Sequence, residues 1–250
     1  MKLILTGCEH VGKTTLSEGI SQWLANTTGF SRSFHDHFTV PSPEVAGEDR
    51  ELFMNMSPAF KERFQRYQID YHAQGAFLGD ADHMLVGFHI EEAVFAPLYY
   101  GYGGQGQYAE RSSFARHIEQ NLMKGNPDFI LVLLTARPKI IKQRMRDEPM
   151  PRDQKGRRPG LLKEEDVEHV LQRFEEEFSA SLIRRKFTID NSDLTSEETL
   201  AEFVWKVQKH LSMDDKMRIL TRQTLLQTGD AREPVFEHKK SVPKEDRTSI

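Results

Sequence analysis

The sequence is poor in cysteine, in long apolar runs and in excess charge of either sign. Its 250 residues include one cysteine, Cys8, which excludes an internal disulfide. The formal net charge of −4 gives no general attraction to nucleic acid or to an anionic membrane. No apolar segment is long enough to span a bilayer, and the sequence begins with a charged lysine and a short strand-like run rather than the long apolar stretch of a signal peptide. We therefore expect a soluble, cytoplasmic protein that binds neither nucleic acid nor membranes.

A short apolar run followed by a glycine-rich loop stands near the start of the chain. Residues 3–5 precede the motif Gly7-x-x-x-x-Gly12-Lys13-Thr14, and a helix-forming segment follows it. Glycines let backbone N–H groups approach an anion closely, and a helix N-terminus adds positive partial charge. The spacing predicts a loop that binds a nucleoside triphosphate, with Lys13 at the β and γ phosphates and Thr14 at Mg²⁺. The residues expected to contact the nucleotide here are Gly7, Cys8, Glu9, His10, Val11, Gly12, Lys13, Thr14 and Thr15.

Patterns typical of strands alternate with helical patterns along most of the chain. Strands are expected near 3–5, 30–40, 84–90, 129–134 and 186–190, and helices near 15–24, 51–77, 111–124, 138–146, 163–184 and 196–211. The fourth run is apolar at every position, as in a central parallel strand covered on both faces. This order predicts an α/β protein with a three-layer P-loop NTPase fold: a parallel sheet, helices on both faces, and ligands at the carboxyl ends of the strands.

The chain divides into one large domain and a tail. We expect the domain over residues 1–211. Its segment at about 147–162 is polar, basic and rich in proline, which predicts a surface loop because such a segment cannot pack a core. Residues 212–250 are rich in charge and lose apolar periodicity after about Leu226, which predicts a short helix and then a disordered tail.

Over residues 1–211 the chain resembles the P-loop nucleoside and nucleotide kinases, in particular the thymidylate kinase and deoxynucleoside kinase group. The resemblance depends on the phosphate loop, on residues 127–138 with Arg144 shortly after them, on the basic loop, and on residues 189–200. It implies a phosphotransferase that uses ATP and Mg²⁺. It also implies that Arg144 stacks near the nucleotide base and that a lid closes over the phosphates. The candidate lid arginines, which would stabilise the transferring group, are Arg152, Arg157 and Arg158.

Carboxylates follow two of the predicted strands. Asp36 stands near the end of the second strand, where the related kinases often carry an acid that positions or deprotonates the acceptor hydroxyl. An ordinary alternating strand end explains Asp36 equally well. Glu91 and Glu92 follow the third strand, where an acid can support Mg²⁺ or the acceptor, although a helix cap explains Glu92 as well. The catalytic candidates are therefore Lys13, Asp36, Glu91 and the lid arginines, and the metal candidates are Thr14 and Glu91.

One position departs from the kinases that the chain resembles. Deoxynucleoside kinases usually carry Glu-Arg-Ser at this point and thymidylate kinases carry Asp-Arg, whereas this chain has Glu91-Glu92-Ala93. The expected arginine is missing, and Arg111 or Arg116 could replace it. Aromatic residues nearby, Tyr99, Tyr100 and Tyr102 with Phe38, could stack on an acceptor base or pack under the glycine-rich loop.

The acceptor is therefore the most open part of the prediction. A nucleoside or a nucleoside monophosphate is favoured. The alternatives are a non-nucleotide small molecule, such as a sugar, a vitamin precursor or an antibiotic, and a regulatory NTPase without an acceptor. A guanine-specific switch would need a base-reading motif of the Asn-Lys-x-Asp type, and the sequence has none. The oligomeric state, monomer or homodimer, also stays open.

Overall fold

The computed structural model describes residues 1–29, 35–38, 47–78, 82–147 and 160–230. The strands are β1 (Lys2–Thr6), β2 (His35–Phe38), β3 (His83–Gly87), β4 (Ile130–Thr135) and β5 (Arg185–Asp190). The α-helices are α1 (Lys13–Thr28), α2 (Gly47–Asn55), α3 (Pro58–Leu78), α4 (Phe88–Phe95), α5 (Arg111–Gly125), α6 (Pro138–Asp147), α7 (Val167–Ala180), α8 (Ser196–Val207) and α9 (Met213–Thr228). A π-helix covers Ala96–Tyr100, and a 3₁₀ turn covers Glu164–Asp166.

The strands form one parallel sheet in the order β2-β3-β1-β4-β5. The central strand β1 pairs with β3 on one side and with β4 on the other, and its side chains are buried along its whole length. Strand β4 is buried at every position except its last, because helices cover both faces of a parallel sheet. The α/β fold predicted from the sequence is confirmed.

Two groups of helices contact the sheet. Helix α1 contacts both α8 and α9, and α1 and α8 contact the strands. Helices α4, α5 and α7 form the second group around α4, which contacts β1 and β3. Because each parallel crossover returns the chain to the same edge, the loops after the strands meet at the carboxyl ends of β1, β3, β4 and β5. The phosphate loop after β1 lies in the middle of that edge.

The third strand is shorter than predicted. It ends at Gly87, whose φ is 89°, and Phe88 adopts a φ of 68° before α4 begins. All eight residues of α4 are buried, so the apolar run continues from strand into helix without a polar break. The prediction that Glu91 and Glu92 follow a strand end directly is therefore wrong, because both acids lie on α4.

Two predicted helices also have different bounds. The helix expected over 51–77 is interrupted at Met56 and Ser57, just before Pro58 begins α3. The helix expected over 163–184 begins as the 3₁₀ turn and ends at Ala180, where the Lys186 ammonium donates hydrogen bonds to the carbonyls of Phe178 and Ser181. Among the residues described by the structure, no helix is both long enough and apolar enough to cross a membrane.

Candidate active site

The loop between β1 and α1 has the backbone shape of an anion cradle. Gly7 has a φ of 151°, His10 of 62° and Gly12 of 95°. A Cβ atom on Gly7 would lie 2.3 Å from the carbonyl oxygen of Leu134, so only glycine fits between the loop and β4. Gly12 caps α1 without a side chain, so the first-turn N–H groups of the helix stay open toward the loop. This backbone suits the phosphates of a nucleotide.

Lys13 and Glu91, predicted separately, lie together at this loop. The Lys13 Nζ atom donates to the carbonyl oxygens of Gly7 at 2.6 Å and Cys8 at 2.9 Å, and lies 3.1 Å from Glu91 Oε2. Both side chains are largely buried, with 13% and 7% exposed. Thr14 lies beside them in the first turn of α1 and is exposed. The arrangement places one cation, one carboxylate and one hydroxyl at the phosphate cradle.

The oxygens of Thr14 and Glu91 are ligands that Mg²⁺ accepts. Among the described residues no group of three or more His, Cys, Asp and Glu side chains could hold a metal by itself. These two residues therefore fit a magnesium ion that takes its other ligands from nucleotide phosphates and water, as is usual for Mg²⁺.

Cys8 and Glu9, in the same loop, have side chains held by their surroundings. Cys8 is buried, and this burial raises the pKa of its thiol to about 12, against the opposing effect of Lys13. The thiol is therefore protonated at physiological pH. Glu9 Oε2 accepts hydrogen bonds at 2.8 Å from the backbone N–H groups of both Leu161 and Leu162. Glu9 thus joins the phosphate loop to the segment that precedes α7.

Arg144 lies on the other side of the loop, toward β4 and β5. Its guanidinium donates to the Val11 carbonyl at 3.3 Å and to the Asn191 Oδ1 atom and backbone carbonyl at 3.1 Å each. The Asn191 amide donates to the same Val11 carbonyl at 2.8 Å. Sequence reasoning placed Arg144 near the nucleotide but missed Asn191; its position directly after the last strand was the available signal. These three residues tie the phosphate loop to the loop after β5.

The structure does not describe the side chains of four predicted site residues. Arg152, Arg157 and Arg158 fall outside the described residues, so their lid role stays a prediction. Asp36 lies on β2, where its backbone is in register with Leu85 of β3, but its side chain lies outside the description. Its role as a base stays a prediction too.

A compact charged cluster lies next to Glu91, on the side of β3 and α3. The Arg111 guanidinium is fully buried, with Nη2 donating to Glu62 Oε1 at 2.9 Å and Nε at 3.3 Å from Glu92 Oε1. The Tyr102 hydroxyl donates to Glu92 Oε1 at 3.1 Å, and Arg66 pairs with Glu62 at 2.5 Å. We call these five residues the α3–α5 charge cluster. Two arginines thus pair with two glutamates, although the buried Nη1 of Arg111 has no hydrogen-bond partner among the described residues.

The glycine-rich loop after the π-helix packs against this cluster. Gly103 has a φ of 75°, and a Cβ atom on it would lie 2.4 Å from Cγ of Arg111, so the close approach requires glycine. The backbone N–H of Arg111 donates to the Gly103 carbonyl at 2.9 Å. The Arg111 guanidinium stacks over the rings of Tyr102 at 5.0 Å and Phe114 at 4.6 Å. Gly103 therefore serves packing around Arg111.

Burial sets the protonation chemistry of the cluster. It raises the pKa of Glu92 to about 7, although Arg111 and the Tyr102 hydroxyl act in the opposite direction. Burial beside Glu92 raises the pKa of Tyr102 as well, which keeps the phenol protonated. Glu92 is therefore a carboxyl group whose charge changes near neutral pH.

The two arginines considered as replacements for the missing one have separate environments. Arg111 belongs to the cluster and is bonded to carboxylates. The Arg116 guanidinium lies 3.1 Å from Glu119 of its own helix α5 and 3.5 Å from Glu177 of α7. Glu119 also pairs with the buried His89 at 2.9 Å, which anchors α4 against α5. Arg116 thus holds helices together and lies outside the group around Lys13.

The aromatic residues near the loop mainly pack. Tyr100 is buried and lies against Phe53 and Tyr102, with ring centroids 6.3 Å apart in each pair. The Tyr99 hydroxyl donates to Asp166 at 3.0 Å. Of the two interpretations left open for these tyrosines, the contacts of Tyr100 and Tyr102 favour packing under the glycine-rich loop.

Gln65 on α3 was not anticipated from the sequence. It is completely buried and lies one turn after Glu62 on the same helix. Neither its amide nitrogen nor its amide oxygen has a hydrogen-bond partner within the described part of the chain. Buried polar groups are rarely left without partners, so this amide is a candidate to bind a ligand.

Comparison with known proteins identifies the fold only through solved structures. No protein-family model and no curated protein sequence matches the chain. The deoxyadenosine kinase of M. mycoides with bound dATP is 18% identical, with a TM-score of 0.53, covering 83% of this chain and 100% of that one. The same enzyme with bound dCTP is 16% identical, with a TM-score of 0.52, covering 84% and 100%. Thymidylate kinase from Candida albicans is 11% identical, with a TM-score of 0.54, covering 83% and 90%. The chain therefore has the fold of P-loop nucleoside and nucleotide kinases, as its sequence resemblance predicted.

Proposed function

We propose that this chain is an ATP- and Mg²⁺-dependent kinase that transfers the γ-phosphate to a nucleoside or a nucleoside monophosphate. The observation that carries the proposal is the meeting of Lys13 and Glu91, 3.1 Å apart at a glycine-shaped anion cradle. The likeness to deoxyadenosine kinase and thymidylate kinase supports the same class of acceptor.

The phosphate donor, ATP, would bind at the carboxyl edge of the sheet, from the loop after β1 toward β5. The loop N–H groups and Lys13 would hold its phosphates, and Arg144, fixed by Asn191, would lie against its base. Thr14 and Glu91 would hold Mg²⁺, which supplies charge stabilisation for the transferring phosphoryl group. This division follows from the strand order, because Arg144 and Asn191 lie beyond β4 and β5.

The acceptor would occupy the β3 side, beside Glu91 and the α3–α5 charge cluster. An acceptor oxygen would attack the γ-phosphorus as the bond to the ADP oxygen breaks. The acceptor proton would pass to a carboxylate, with Asp36 and Glu91 as the candidates. The amide of Gln65 offers both N–H donors and a carbonyl acceptor, which would suit the polar edge of a base.

The test is ADP release from Mg-ATP by the purified chain, first alone and then with a panel of nucleosides and nucleoside monophosphates. Strong stimulation by one panel member, with a product heavier by one phosphoryl group, is the expected result. Tight ATP binding without stimulation by any member would contradict the proposal and favour a non-nucleotide acceptor or a regulatory NTPase.

A lysine variant ties the activity to this site. Lys13→Ala should abolish phosphoryl transfer and weaken ATP binding while leaving the circular dichroism spectrum unchanged, because the polar contacts described for Lys13 go to two loop carbonyls and Glu91. Lys209→Ala is the matched control, since Lys209 lies over Trp205 just after α8 and far along the chain from the loop. Full activity in Lys13→Ala would refute the assignment of the phosphate loop.

A further inference from the structure

The outer face of α3 is aromatic. Over residues 60–73 the exposed positions of this helix are Phe60, Arg63, Tyr67, Asp70 and Tyr71, which we call the α3 outer face. Its three aromatic side chains are 59%, 67% and 74% exposed. A solvated helix face ordinarily carries lysine and glutamate, and residues 60–73 expose neither. Such a face is typical of a surface that another molecule covers.

The outer faces of α5 and α7 show the ordinary pattern in the same molecule. The exposed side chains of α5 are Ser113, His117, Gln120 and Lys124. Over residues 167–178 of α7 they are Glu168, His169, Gln172, Glu175 and Glu176. These two helices are therefore suited to water, whereas α3, which packs against α5, is not.

The two charges on the α3 outer face fit a second copy of the same helix. Arg63 and Asp70 are seven residues apart, which places them about 10.5 Å apart along the axis, too far for an ion pair within one chain. When two copies of α3 run antiparallel about a two-fold axis beside Tyr67, each Arg63 stands opposite Asp70 of the second copy. The ring of Tyr71 then lies near the same guanidinium. Both charges thus find opposite charges, and the two Tyr67 rings meet at the axis.

The same charges argue against a nucleic acid strand as the occupant. Proteins that stack bases on exposed aromatic rings also present a positively charged groove to the phosphates. The α3 outer face carries one positive and one negative charge, and the chain as a whole has a net charge of −4. Aromatic side chains with arginine are, in contrast, the residues enriched at protein interfaces.

The area of the α3 outer face suits a dimer of moderate affinity. An aromatic side chain offers roughly 150–250 Å² in all. At exposures of 59%, 67% and 74%, the three rings present roughly 400 Å² per copy. Two copies, together with Arg63, Asp70 and the atoms between them, approach about 1,200 Å², the lower end for specific interfaces. We therefore expect a reversible dimer with a Kd in the micromolar range.

We propose that the chain forms a homodimer through α3, with the α3 outer faces of two copies packed antiparallel about a two-fold axis beside Tyr67. The inference concerns assembly and does not depend on the proposed kinase activity. Its support is the combination of an exposed aromatic face with charges of opposite sign on either side of Tyr67.

Sedimentation equilibrium of the full chain tests the dimer from about 1 to 100 μM. Tyr67→Ala should raise the dimer Kd at least about tenfold, because the ring is lost from the centre of both copies. Trp205→Ala, at an equally exposed aromatic residue on α8, and Met217→Ala, on the exposed side of α9, are matched controls and should leave it unchanged. A monomeric wild type at about 100 μM, or a dimer lost in either control instead, would overturn the proposal.

A charge exchange tests the antiparallel pairing. Arg63→Glu and Asp70→Arg each bring like charges together, so each should raise the dimer Kd at least about tenfold. The double variant restores opposite charges and should return the Kd to within about threefold of the wild type. Both positions are exposed, so circular dichroism should show all three variants folded. A folded double variant that dimerises no better than the single variants would refute this pairing.

Discussion

Replacing Glu92 by glutamine should change how the stability of the protein depends on pH. Glu92 is buried, and this burial raises the pKa of its carboxyl from 4.5 to about 7 despite the opposing charge of Arg111. Between those two values the folded chain binds a proton at this site more often than the unfolded chain does. The contribution of this site to stability is therefore fully present below pH 4.5 and lost as the pH rises through 7.

The size of the effect follows from the two pKa values. A difference from 4.5 to about 7 corresponds to about 3 kcal/mol of unfolding free energy over the whole interval. Glutamine cannot ionise, so the variant lacks this dependence. The unfolding free energy of Glu92→Gln minus that of the wild type should rise by about 2–3 kcal/mol between about pH 5 and pH 8. The sign of the difference at one pH matters less, because the substitution also alters the hydrogen bond to Tyr102 and the ion pair with Arg111.

Urea denaturation followed by circular dichroism measures this difference. Both proteins are unfolded at several pH values, and equal slopes against urea concentration would verify that they expose the same surface. Glu176→Gln controls for the loss of an exposed carboxylate and should show no such trend. A difference between Glu92→Gln and wild type that stays constant from about pH 5 to pH 8 would refute the argument that burial governs this carboxyl.

Three further outcomes follow from the phosphate loop. Gly7→Ala should lose ATP binding in equilibrium dialysis, because the new methyl would meet the Leu134 carbonyl at 2.3 Å; unchanged affinity would contradict the described loop. Cys8 should resist a thiol reagent in the native state and react in urea, because burial raises its pKa to about 12, and rapid native labelling would count against this. Arg144→Lys should weaken ATP binding about tenfold in isothermal titration calorimetry, since an ammonium cannot reproduce the contacts with both Val11 and Asn191. An unaltered affinity would contradict this role of Arg144.

The parts of the fold predicted well are those set by local pattern. The phosphate loop follows from glycine spacing after a short apolar run, and β4 follows from an unbroken apolar stretch bounded by Pro127 and Pro138. The end of β3 could not be predicted in this way. Because α4 is buried at every position, the apolar pattern continues through Gly87 and Phe88, and only the positive φ angles there reveal the change from strand to helix.

The site was predicted unevenly for a related reason. Lys13 and Glu91 could be proposed because each follows a strand of one parallel sheet, and such strands share an edge. The neutralisation of Arg111 could not be predicted, because Glu62 lies 49 positions away and the pairing depends on how α3 packs against α5. Gln65 gave no signal either, since a glutamine on a helix is ordinarily exposed.

The hydrogen bond from Asn191 to the Val11 carbonyl joins positions 180 residues apart. We expect a contact of that span to form only after β4, α7 and β5 have taken their places, because closing so long a loop is entropically unfavourable until neighbouring contacts exist. We therefore expect the phosphate loop to reach its binding shape late in folding, although it stands near the start of the chain. During refolding, recovery of nucleotide binding should lag behind recovery of helical circular dichroism, which makes a nucleotide a probe of complete folding of this sheet.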